Sequence, residues 1–210
     1  MANQTQRPDT ALHNTSHLMQ YHDLIESIVA AMDARDAYTA KHSDRVADMV
    51  LVLAAALDLS EDETTLLHMA AHLHDIGKIA VPDSVLRKAG PLTSPEWEEM
   101  RRHPVTGYEI LRKVDDFKEI AVLVRHHHER WDGRGYPDGL RGADIPLGSR
   151  ILAVADSIDA MMSSRSYRPA MTSAACRREI ERTRGIMYDP SVAAAALAHW
   201  DELVSRYAEA

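Results

Sequence analysis

The chain has 210 residues, 45% of them apolar and 27% charged, enough for one hydrophobic core and too little for two. Its formal net charge of −8 excludes a protein that coats nucleic acid, which needs a basic footprint. The longest apolar run, residues 49–57, is about half of what a bilayer-spanning helix requires. Residues 1–17 are polar with no signal-peptide pattern, and Cys176 is the single cysteine. The expectation is a cytoplasmic protein with neither DNA, RNA nor membrane as partner.

Residues 1–17 read as a polar N-terminus and 18–210 as one domain. Over 18–33, Leu18, Ile25, Ile28, Val29 and Met32 recur mostly at three- and four-residue steps, the period of an amphipathic helix. Residues 38–57 repeat the signal through Val46, Met49, Val50 and Leu53. Ser60 and Glu63 have capping-box spacing and open a helix carrying Leu66, Leu67, Ala70, Ala71 and Leu73 toward Gly77. Further helices are expected over 94–102, 105–114, 116–128, 149–163, 172–184 and 190–208. Almost nothing alternates with period two, so the predicted fold is an all-α, single-domain helical bundle. Gly133, Gly135, Gly139 and Gly142, with Pro137 and Pro146, interrupt it. Such density means turns and close backbone approach, and Trp131 and Tyr136 mark the loop as functional.

Twelve histidines are out of proportion in an otherwise ordinary composition. In Ala71-His72-Leu73-His74-Asp75-Ile76-Gly77-Lys78, helical steps put His74 on the face of Leu67, Ala71 and Lys78, and His72 about 160° away. His74 is expected inward; His68 and His72 are expected on a solvent face. An inward histidine beside an aspartate supplies an imidazole nitrogen and a carboxylate able to bridge two cations, with Lys78 one turn on to meet a phosphate. An isolated pair of this kind reads first as a hydrogen-bonded core feature, but this pair is not isolated. Ligand-type residues also stand at His42, at His103 before Pro104, at His127 with His128, and at Asp156, a lone charge closing an apolar run. His13, His17 and His22 read as scattered surface residues, His126 as a spare beside its neighbours, and Met161, Met162 and Met171 as packing.

Taken in order, these segments resemble the HD-GYP phosphohydrolases, a branch of the HD superfamily that degrades cyclic dinucleotides. The matching stretches are Asp36-Ala37-Tyr38-Thr39-Ala40-Lys41-His42-Ser43-Asp44-Arg45-Val46, His74-Asp75-Ile76-Gly77-Lys78-Ile79-Ala80-Val81-Pro82-Asp83, His103, and His127-His128-Glu129-Arg130-Trp131-Asp132-Gly133-Arg134-Gly135-Tyr136-Pro137. The match continues through 151–160 to Asp189-Pro190. The namesake triplet is Gly135-Tyr136-Pro137.

The resemblance implies one metal held by His42, His74, Asp75 and Asp156, and a second held by Asp75, His103, His127 and His128, with Asp75 bridging. Two such cations, about 3.5 to 4 Å apart, can share a hydroxide that attacks a phosphodiester. Iron or manganese is the metal the family implies, and zinc, nickel and cobalt also suit imidazole-rich ligands. A third metal is not expected, because some relatives recruit it through a glutamate one turn before the first histidine, where this chain has Tyr38. Asp75 and Lys78 are the implied catalytic pair; Gly135, Tyr136, Arg165 and Arg168 are implied to bind nucleotide. Ser166 replaces the proline of the relatives' Arg-Pro-Tyr-Arg.

The implied activity is hydrolysis of a cyclic dinucleotide, cyclic di-GMP first, to linear pGpG and onward to GMP. The alternatives are a phosphohydrolase for another nucleotide, 3′,3′-cGAMP included, and a signalling module that binds cyclic dinucleotide without turnover. Family members often carry a sensory domain upstream, whereas only about 35 residues precede this match, too few for a domain. A homodimer, or a sensory or diguanylate cyclase partner acting in trans, is the expected substitute.

Overall fold

In the computed structural model, which describes residues 21–35, 41–164 and 169–207, the hydrophobic repeats close into helices. The expectations at His13, His17, Leu18, Tyr38, Arg165 and Arg168 lie outside the described residues. In chain order the helices are α1 (His22–Arg35), α2 (His42–Ala56), α3 (Glu61–Leu73), α4 (Asp83–Leu86), α5 (Ser94–Met100), α6 (His103–Leu111), α7 (Lys118–His126), α8 (Leu147–Met162), α9 (Ser173–Thr183), α10 (Pro190–Ala198) and α11 (Trp200–Leu203). A 3-10 turn, Ile76–Ala80, follows α3. The described residues contain no strand, only one isolated bridge between Arg184 and Tyr188. Among them no helix is long and apolar enough to cross a membrane.

Helix α2 is the centre of the bundle, packing against both α3 and α8. Its Val46, Met49, Val50 and Leu53 are buried, as are Leu67, Ala70 and Ala71 of α3 and Ile151, Leu152, Ala155 and Ile158 of α8. Each large side chain removed from water there contributes roughly 1.5–3 kcal/mol. Met161 joins this core, with Met162 and Met171 packed at its edge. Helix α3 leans on α7, α6 on α7 and on the 3-10 turn, and α9 and α10 cover α8. The Ser60–Glu63 capping box forms, with Ser60 N donating to Glu63 Oε2 at 2.9 Å and Glu63 N to Ser60 Oγ at 3.3 Å.

Several boundaries differ from those the periodicity predicts, three of them with a clear local cause. The helix expected to run to Gly77 stops at Leu73, and the chain tightens into the 3-10 turn with Lys78 N donating to Asp75 O at 2.9 Å. The helix expected over 105–114 begins at His103, because Pro104 occupies a first-turn position where its missing N–H costs nothing. The long C-terminal helix breaks at His199, where the chain turns so that the buried Trp200 can donate its indole N–H to Ser173 Oγ at 2.8 Å.

Candidate metal centre

Seven residues from five stretches of chain converge on the end of α3, and their placement follows from local hydrogen bonds. His74, His103 and His127 each orient their rings in the same way. Nδ1 lies 2.6 Å from Ala71 O, 2.8 Å from Met100 O and 2.6 Å from Val124 O, respectively, a carbonyl three residues earlier in each case. A carbonyl oxygen only accepts, so Nδ1 carries the proton and Nε2 is left facing inward. His42 is held by Asp159 instead, with Nδ1 2.6 Å from Asp159 Oδ2. Arg45 Nε donates to the other oxygen of Asp159 at 2.5 Å, and the Tyr207 hydroxyl donates to it as well.

The inward nitrogens meet in pairs. His42 Nε2 and His74 Nε2 are 3.2 Å apart; His103 Nε2 and His127 Nε2 are 3.3 Å apart. Two imidazoles bound at about 2.0–2.1 Å with tetrahedral angles place their nitrogens about 3.3 Å apart, so the spacing fits two ligands of one transition-metal ion. Asp75 stands between the pairs. Its Oδ2 is 3.4 Å from His74 Nε2 and 3.8 Å from His42 Nε2, while its Oδ1 is 3.4 Å from His103 Nε2. Asp156 Oδ1 lies 3.4 Å from His42 Nε2. His128 completes the second group, its ring centroid 4.0 Å from that of His127 and 5.0 Å from that of His103. Lys78 Nζ contacts Asp75 Oδ2 at 2.5 Å.

The electrostatics suit a cation. Burial holds His103 down to about 4, and pushes His127 and His128 well below the ordinary imidazole range, so all three are neutral donors at pH 7. Burial also opposes charge on His74, but the carboxylates of Asp75 and Asp156 outweigh it and lift the ring to about 9. Burial would raise the Asp75 carboxyl; Lys78 and His74 reverse this and hold it well below the usual range. Positive charge is what the buried carboxylates call for, and the donor set of imidazoles with few carboxylates fits a transition metal.

The glycine-rich loop wraps the rim of this centre. A Cβ at Gly135 would lie 2.4 Å from Arg130 N and 2.5 Å from Glu129 Cα, so only glycine lets the loop fold back that closely. Glu129 Oε1 accepts from the amides of Asp138 and Gly139 at 2.7 and 2.9 Å, and Tyr136 N donates to His128 O at 3.2 Å. The Tyr136 ring consequently packs on His128, centroids 4.9 Å apart, with the Arg101 guanidinium over it at 5.3 Å. Burial keeps its phenol above the ordinary range, hence protonated at neutral pH.

All seven expected ligands are thus brought together, with Lys78, Gly135 and Tyr136 beside them. Residues not foreseen are Asp159, Arg45 and Arg101. Asp159 carried a readable signal, being a second charge in the apolar run of Asp156, three residues on. The expectation that His72 faces solvent is corrected: it is 7% exposed, and its ring lies within 4.8 Å of His68 and 5.7 Å of His22. Helix α1 covers that side of α3. His68 and His22 are likewise only half-exposed rather than scattered on the surface.

A family model described as HD domain matches residues 23–192. The chain is 44% identical over 170 residues to the cyclic di-GMP phosphodiesterase response regulator RpfG of Xanthomonas campestris, covering 80% of this chain and 45% of that protein. It is 40% identical over 188 residues to the 3′3′-cGAMP-specific phosphodiesterase 2 of Vibrio cholerae, covering 87% of this chain and 35% of that protein. The chain therefore spans less than half the length of these curated relatives. A solved structure of a cyclic GMP-AMP specific phosphodiesterase of V. cholerae superposes with a TM-score of 0.66 at 20% identity, over 89% of this chain and 49% of that one. This last likeness is one of fold.

Proposed function

The chain belongs to the HD domain family, in its HD-GYP branch, and from that premise we propose that it is a metal-dependent phosphodiesterase hydrolysing a cyclic dinucleotide, cyclic di-GMP first, to a linear 5′-phosphorylated dinucleotide. The observation that carries the reading is the position of Asp75, whose two oxygens face two separate imidazole groups. His42, His74, Asp75 and Asp156 would hold one cation, and Asp75, His103, His127 and His128 a second, iron or manganese in each. Such a pair supplies a nucleophile from water at neutral pH and clamps the attacking and leaving oxygens of a phosphodiester.

The chain's own groups do the rest. The Lys78 ammonium, against Asp75 Oδ2, is placed to meet the negative charge that develops on a phosphate arriving beside that carboxylate. The neutral Tyr136 hydroxyl is a donor at the rim. Its ring already carries His128 and Arg101, so an incoming purine stacks against this assembly, with the Arg101 guanidinium yielding or forming part of the platform. Arg165 and Arg168 are assigned to the guanine edges and the second phosphate, a pairing arginine makes with two hydrogen bonds. The buried, carbonyl-anchored histidines keep the reacting end dry and fixed.

The relatives act, by name, on cyclic di-GMP and on 3′3′-cGAMP, so the test uses both. Metal-loaded protein is incubated with each and the products are separated by chromatography. A linear 5′-phosphorylated dinucleotide, faster from cyclic di-GMP, is expected. No product from either at full metal loading overturns the proposal and leaves a binding module.

A further inference from the structure

We propose that His22, His68 and His72 form a second, separate metal site, for a borderline-soft divalent cation of the zinc class, that ties α1 to α3. The three rings can offer nitrogens all within 4.8 Å of one another. His68 and His72, one turn apart on α3, meet edge to face with centroids 4.8 Å apart; His22, at the start of α1, stacks on His68 at 6.0 Å and stands edge-on to His72 at 5.7 Å.

The observation that singles out this cluster is the His72 ring. It is 7% exposed, and its Nδ1 is buried with no hydrogen-bond partner, the carboxylate of Asp44 being the near acid at 3.8 Å. A buried ring nitrogen left without a partner is rare and calls for a ligand. In the centre described above, Nδ1 of His74, His103 and His127 finds a carbonyl; here His72 has none. Burial, with His72 and His22 nearby, also keeps His68 down to about 4, so it is a neutral donor at pH 7.

Three imidazoles with no thiolate suit zinc, copper, nickel or cobalt better than magnesium or calcium. A tetrahedral ion leaves its fourth position to water or to the exposed Asp44 carboxylate. Such an ion requires the nitrogens, now within 4.8 Å of one another, to close to roughly 3.3 Å. His22, at the first position of α1 with its side chain 29% exposed, has its Nδ1 3.6 Å from Glu26 Oε1 and would exchange that surface contact for the ion. None of the three belongs to the ligand set around Asp75. The proposal accordingly stands whether or not the chain is a phosphodiesterase.

The test counts zinc on the full chain. Wild type, His22→Ala and His68→Gln are first saturated with manganese, then dialysed against zinc with a chromophoric chelator as competitor, and both metals are measured by elemental analysis. Wild type should hold one zinc beyond what the variants hold, with its affinity weakened more than about tenfold in each variant, since losing even an outer-shell partner of a ligand costs about that much. Added zinc should raise the Tm of wild type and not that of His22→Ala. His22→Ala removes a half-exposed side chain and leaves the core intact, so it reports even where His68→Gln fails to fold. Equal zinc content and affinity in wild type and His22→Ala would overturn the proposal. An extra ion that survives in His22→Ala would belong to the Asp75 centre and overturn it equally.

Discussion

Replacing Gly77 by alanine probes how the second half of the Asp75 centre is held. A Cβ there would lie 1.9 Å from the His103 carbonyl oxygen and 2.6 Å from Gly107 N. Ordinary contact begins at 3.4 Å, so 3.4 − 1.9 = 1.5 Å must be found between the Ile76–Ala80 turn and α6. Both obstructing atoms are backbone, so no rotamer change provides relief and one element has to move. The movement falls on the gap between Asp75 Oδ1 and His103 Nε2, now 3.4 Å, whereas metal–ligand distances tolerate only about 0.2 Å. Overpacking of this kind costs about 3 kcal/mol at the upper end. The lower entropy of an unfolded chain with alanine returns about 0.4–1 kcal/mol, leaving a net loss of about 2 kcal/mol. Urea unfolding should show a lower midpoint at unchanged slope, and elemental analysis should show the ion of the His103 group lost while the His42 group keeps its own. A Gly77→Ala protein with wild-type stability and full metal content would refute the reasoning.

Asp75→Asn should fold yet bind neither ion tightly, with turnover falling below about a thousandth of wild type, the scale of losing one preorganised electrostatic group; steady-state rates and metal content measured together check this. Arg165→Ala should retain its metal and lose about 1–3 kcal/mol of cyclic dinucleotide binding, while hydrolysis of bis-(p-nitrophenyl) phosphate, which has no purine, stays near wild type. Equal loss on both substrates would assign Arg165 to the fold. Asp189 is buried, caps α10 through Ser191 N at 2.7 Å and pairs with Arg150 at 2.5 Å. Burial raises its carboxyl, but the bonds from Ser191 and Arg150 outweigh that and leave it lowered. A lowered carboxyl stabilises the fold above its unfolded value of about 3.9 and loses that contribution as pH falls through the folded value. Asp189→Asn should therefore be less stable than wild type by about 3 kcal/mol at pH 7, with the gap closing below about pH 4. A gap independent of pH in urea unfolding would show that the charge is not what stabilises.

The elements that the sequence determined by itself are those whose information is local. The 3.6-residue repeat of Val46, Met49, Val50 and Leu53 states which side of α2 is buried, and Ser60 with Glu63 states where α3 begins, because both depend on residues one or two turns apart. Of the metal-centre residues, Asp156 was legible for a related reason, since a charge inside an apolar run is costly unless something pairs with it, whereas the full ligand set came from the resemblance to the HD-GYP phosphohydrolases. What pairs with such a charge is another matter. Asp159 meets His42 across 117 positions of chain, and no periodicity relates them. The projection that put His72 on a solvent face was wrong about solvent, the residue being 7% exposed. Helix α3 is covered by α1 as well as by α2, α7 and α8, so the face away from His74 is not a free one. Which helix covers a given face, and hence whether His22, His68 and His72 meet, depends on how whole helices dock. That is decided by the summed burial of surfaces far apart in sequence, and only the tertiary structure carries it.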